Sequence, residues 1–172
     1  RYNITYRVYG GMSFYQRKEI KDLLSYFKIC VNQNEDESIQ RIINFPRRGI
    51  GDATIEGLRK IAIDNDVSIW NVLQSDIPQV KGKKAIVDFT KMIEVFIAKS
   101  KELNAYDLAM MITRQSGVLD EYKKENSIDS MARVENINAL LDGIKEFVDN
   151  DEVSGDDELP TDKSLATYLQ TI

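Results

Sequence analysis

Two arginines set directly before a Gly-Ile-Gly turn carry the clearest chemistry in this sequence. They lie in Phe45-Pro46-Arg47-Arg48-Gly49-Ile50-Gly51-Asp52-Ala53-Thr54. Ile39, Ile42 and Ile43 recur at helical spacing upstream; Ile55, Leu58, Ile61 and Ala62 do so downstream. Glycine at 49 and 51 lets the backbone turn and lets a ligand approach it closely. The amides of Gly51 and its successors then open a helix, unpaired and aimed outward, where an anion is favoured. Arg47 and Arg48 add guanidinium groups suited to phosphate, with Thr54 in the first turn. The order of parts describes a helix-hairpin-helix that grips a nucleic-acid backbone through Arg47, Arg48, Gly49, Ile50, Gly51 and Thr54. The same Gly-x-Gly also serves as a plain C-cap and tight turn, so this reading competes with a purely structural one.

Val80-Lys81-Gly82-Lys83-Lys84 looks like half of a second hairpin, with Lys81, Lys83 and Lys84 as weaker contacts. A lysine-rich solvated helix start is the preferred reading of this stretch. Lys123 and Lys124 read as surface, and Trp70, Met110 and Met111 as core. Other chemistry is missing. There is no histidine, hence neither the commonest general base nor the commonest transition-metal ligand, and the single Cys30 cannot build a zinc site. No phosphate-cradling Gly-x4-Gly-Lys-Ser/Thr loop occurs. Glu35, Asp36 and Glu37 suit the dipole of a helix start better than a metal. The chain reads as non-catalytic, with no metal or cofactor of its own.

These loops need helices to hold them. Tyr2 to Tyr9 alternates as a short extended segment, ended by Gly10-Gly11. Ser13-x-x-Gln16 predicts a capping box opening a helix from Phe14 to Val31. Helices follow over about 36–43, 53–63 with Asp52 as N-cap, a short one after Ser68, 81–101, 105–115 after Asn104, a turn near Val118, and 129–148. Ser164 to Ile172 restarts an amphipathic pattern. The class is all-α, an irregular multi-helix domain with a short extended N-terminal segment.

The formal net charge of −5 is unevenly distributed: residues 1–60 hold 11 Lys and Arg against 7 Asp and Glu, the remainder 12 against 21. The Gly-Ile-Gly turn lies in the basic part, so the overall charge says little about its local potential. Residues 149–162 contain seven acids and no base and read as a flexible loop. No apolar stretch is long enough to span a bilayer, and the lone buried cysteine fits a reducing compartment. The start at Arg1 and the interrupted last helix suggest a piece of something longer.

Three blocks together resemble the UvrD/PcrA/Rep group of superfamily 1 DNA helicases: Tyr6-Arg7-Val8-Tyr9-Gly10-Gly11 with Phe14, Arg17 to Asp22, Leu24 and Tyr26; Arg41-Ile42-Ile43-Asn44 running into the arginine–glycine turn; and Arg133-Val134-Glu135-Asn136-Ile137 with Leu140-Leu141. The resemblance implies that residues 1–12 edge or hinge the second RecA-like motor domain (2A) and that 13–172 form its helical 2B insertion. It implies hinges at Gly10-Gly11 and just beyond Ile172, and a junction held by ion pairs of Arg17, Glu19, Lys21 and Asp22. The parent would be a 3′ to 5′ ATP-dependent helicase using ATP and Mg, acting in repair or replication, cytoplasmic and nucleoid-associated in a bacterium. This piece lacks the nucleotide site.

The expected partner is double-stranded DNA, bound through its backbone without sequence preference, with a log K against log salt slope of about −2 to −4 and a Kd of about 10⁻⁴ to 10⁻⁶ M. The alternative is a protein-interaction and autoregulatory domain. It would dock motor domains, another copy or a repair protein through the acidic later part of the chain.

Overall fold

In a computed structural model, residues 12–150 and 162–172 are described, and they form ten helices. These are α1 (Met12–Tyr15), α2 (Lys18–Val31), α3 (Asp36–Ile42), α4 (Asp52–Asp64), α5 (Ile69–Gln74), α6 (Lys83–Ser100), α7 (Ala105–Gln115), α8 (Val118–Glu125), α9 (Ile128–Asp149) and α10 (Leu165–Gln170). The all-α class follows directly. The extended segment and Gly10-Gly11 lie outside the described residues, as does most of the acidic stretch.

Helix α2 is the axis of the fold. Its stripe of Ile20, Leu23, Leu24, Tyr26, Phe27, Ile29 and Cys30 is buried, and α3, α6, α7, α9 and α10 all pack on it. Phe89, Ile93 and Phe96 of α6 and Ile137, Leu140 and Ile144 of α9 complete one continuous core. Trp70 belongs to that core, whereas Met110 and Met111 pack at its margin. Cys30 is buried, and burial pushes its thiol up to about 12.

Most helix starts follow the sequence signals. The side chains of Ser68, Asn104 and Ser164 accept from the backbone amides of Asn71, Asp107 and Thr167. Ser127 and Ser130 form a reciprocal capping box at the head of α9. The turn expected near Val118 is a full eight-residue helix. Two expectations need correction. The Ser13 capping box does not open one long helix: the chain breaks at Arg17, extended at φ −65° and ψ 140°, and α2 begins at Lys18. The N-cap of α4 is Gly51, and Asp52 is its first helical residue.

The polar residues shared with the helicase-like motifs tie helices of this fold to each other. Asp22, 2% exposed, accepts from Arg41 Nε at 2.7 Å and Lys18 Nζ at 3.0 Å, joining α2 to α3. Asn136 on α9 donates to buried Glu19 at 2.7 Å and accepts from Arg17 at 2.8 Å. Arg133 lies over the Tyr122 ring at 5.6 Å.

Candidate nucleic-acid interface

The Gly-Ile-Gly turn is built from both sides. Ile50 is fully buried and anchors it in the core. Gly49 adopts φ +84°, a conformation that L side chains rarely take. Asn44, just after α3, places Oδ1 where it accepts from the amides of Arg48 at 2.8 Å and Ile50 at 3.1 Å. The turn is therefore folded before any ligand arrives. Gly51 then caps α4 with no side-chain acceptor, and Gly51, Asp52 and Ala53 are exposed. The first intrahelical bond runs from the Ile55 amide to the Gly51 carbonyl at 3.1 Å, so the amides before it have no partner within the helix. The Asp52 carboxylate shares that first turn, where it favours the helix dipole.

The two arginines part company. Arg47 is exposed. Arg48 turns inward: Nη1 donates to the carbonyls of Ile42 at 2.8 Å, Ile43 at 3.2 Å and Phe45 at 3.1 Å. Its Nη2 donates to the Tyr26 hydroxyl at 2.6 Å and the Ser116 carbonyl at 3.2 Å. The guanidinium also lies 5.2 Å from the Phe89 ring centroid. Tyr26 in turn donates to the Phe45 carbonyl, and burial pushes its hydroxyl up to about 12 against the opposing pull of Arg48.

The second glycine turn, expected to be weaker, lies against the first. Gly82 also has φ +84°, and a Cβ built on it would stand 3.0 Å from the Gly49 carbonyl oxygen and 3.8 Å from Ile50 Cα. The Thr54 hydroxyl donates to the Lys81 carbonyl at 3.2 Å, so it stitches the two turns together. Gly82 caps α6 as Gly51 caps α4, again without a side-chain acceptor. Two helix N-termini thus open side by side. Lys81 and Lys84 are exposed there and Lys83 is half-buried. Lys84 bonds Asp88 at 2.8 Å, and that bond holds the ammonium's pKa up and the carboxyl's down.

Sequence reasoning passed over Asn44 and Tyr26 as parts of this site. Both left a signal. A tyrosine on an apolar helical stripe needs a partner for its hydroxyl, and an asparagine next to a turn commonly closes it through its side chain. Among the described residues no three acidic or cysteine side chains converge as a metal site, and no helix is long and apolar enough to cross a membrane.

The sequence is 34% identical over 151 residues to the ATP-dependent DNA helicase PcrA of Staphylococcus aureus, and 36% identical over 152 residues to that of Staphylococcus epidermidis. Each alignment takes in 86% of this chain but 21% of the relative, so the chain spans about a fifth of the length of the proteins it matches. A wider pattern agrees with these pairwise matches: the family profile described as the UvrD-like helicase C-terminal domain fits residues 1–167, which include both glycine turns and the helices that carry them. A match running through almost the whole chain makes it a member of the UvrD-like helicase C-terminal domain family.

Proposed function

We propose that this chain is the accessory 2B domain of a UvrD/PcrA-like, 3′ to 5′ ATP-dependent DNA helicase, and that it holds duplex DNA through the phosphate backbone. The pairing of two glycine-capped helix N-termini carries this reading. Gly49 and Gly82 meet backbone to backbone, and neither Gly51 nor Gly82 offers a side chain that would compete with phosphate for the amides behind it. Exposed Arg47 and Lys81, with Lys83 and Lys84 beside them, supply the charge. Gly49 and Gly51 admit the backbone closely, while Ile50 and Thr54 shape the turn. No base-reading element is involved, so binding is insensitive to sequence. ATP and Mg belong to the motor domains of the parent helicase, which would hinge on this domain near Gly10-Gly11 and after Ile172.

Chemical-shift mapping of the 172-residue chain with a short blunt duplex tests the reading. Perturbations should cluster at residues 47–54 and 81–85. Silence at both turns, with shifts induced elsewhere by motor domains, would favour a protein-docking domain instead.

A further inference from the structure

Arg48 sits where four parts of the fold converge. Its Nη1 meets the last carbonyls of α3, and its Nη2 meets the Ser116 carbonyl at the end of α7. Helix C-termini carry partial negative charge, so a cation between two of them is stabilised twice. Tyr26 of α2 accepts from the same guanidinium, and Phe89 of α6 lies beneath it. The backbone of this residue is the next link: its amide donates to Asn44 Oδ1, which also accepts from Ile50. One end of Arg48 is therefore fixed to α2, α3 and α7, and the other is the turn itself.

We infer that Arg48 is a positioning residue that sets the Gly49-Ile50-Gly51 turn and the head of α4 from behind, acting through Tyr26 and Asn44, and that it makes no phosphate contact. The geometry requires arginine. A planar fork reaches five acceptors spread over two helix ends and a hydroxyl, whereas an ammonium is a single point with three donors. At a phosphate, by contrast, lysine is a competent replacement for arginine. Arg48→Lys therefore separates the two roles. The consequence for DNA rests on the function proposed above; the consequence for the turn does not.

The test has two arms on the 172-residue chain. Amide hydrogen exchange is followed without DNA, and duplex affinity is measured across a salt series. In Arg48→Lys the amides of residue 48 and Ile50, both bonded to Asn44 Oδ1, should exchange at least about tenfold faster, as expected for loss of a charge-assisted bond, while those of Leu140 and Ile144 on α9 keep their rates. Duplex affinity should fall about tenfold at an unchanged salt slope. Unchanged exchange at Ile50 would overturn the inference. So would an Arg48→Lys variant that binds as wild type while Arg48→Ala loses about 0.9 of slope. If the lysine variant does not fold, Tyr26→Phe, which keeps the ring and removes one partner, must raise Ile50 exchange in the same selective way or the inference fails. Absence of wild-type DNA binding would dismiss the proposed function alone and leave the exchange arm to decide the role of Arg48.

Discussion

Three glycines on one structural unit should respond to alanine with different signs, and the differences can be worked from their surroundings. Gly57 lies exposed inside α4 with nothing within 4 Å of a built Cβ. Gly57→Ala should stabilise the fold by about 0.5–1 kcal/mol, because it lowers the entropy of the unfolded chain and raises helix propensity. Gly49 also has open space, but its φ of +84° makes any side chain strained. Gly49→Ala should cost about 1–2 kcal/mol. Gly82 combines the same φ with the Gly49 carbonyl oxygen 3.0 Å away, a contact that backbone cannot relieve by a rotamer change. Gly82→Ala should cost a further 1–3 kcal/mol or so, the usual range for overpacking. In a chain of this size each kcal/mol moves Tm by roughly 2–4 °C. Urea unfolding with shared m values is the assay. Equal losses at Gly49 and Gly82 would refute the abutment of the two turns on which the proposed interface depends.

Other predictions concern what stabilises the platform. Tyr26 and Cys30 each have a folded-state pKa of about 12, against 10.0 and 9.0 when exposed, so folding favours their neutral forms. That stability is complete below pH 9 and is lost as pH rises toward 12, by up to about 1.4 kcal/mol per pH unit for each group. Cys30→Ala should flatten the decline seen in urea midpoints from pH 8 to 11; parallel curves for the two proteins would contradict it. Asn136→Ala removes the donor to Glu19, which is only 4% exposed, and should cost about 1–3 kcal/mol in urea unfolding. An unchanged midpoint would show that water replaces the amide.

Much of the fold was readable because its helices advertise themselves periodically. The stripe from Ile20 to Cys30 and the one from Ile137 to Ile144 both bury the residues their spacing selects. The caps at Ser68 and Asn104 are local chemistry, and local chemistry survives folding. Ser13 misled because the chain at Arg17 answers to Asn136, 119 positions away, and no local rule contains that contact. The site divides along the same line. Glycines at 49 and 82 were legible as turns, but nothing in the sequence says that the turns touch. Arg47 and Arg48 are indistinguishable as letters; Tyr26, 22 positions upstream, and Ser116, 68 positions downstream, decide which one faces inward. Of the residues expected in junction ion pairs, Arg17 and Glu19 bond the neutral amide of Asn136 and Asp22 pairs with Lys18 and Arg41, all among the described residues.

The salt dependence of duplex binding tests the central claim most directly. Arg47 is predicted to meet one phosphate, so Arg47→Ala should reduce the slope of log K against log salt by about 0.9, and Lys81→Ala in the same background should remove a similar amount. Forked, blunt and sequence-scrambled duplexes should give the same decrements. A slope that stays at its wild-type value in both variants would mean that the paired turns do not hold the DNA backbone.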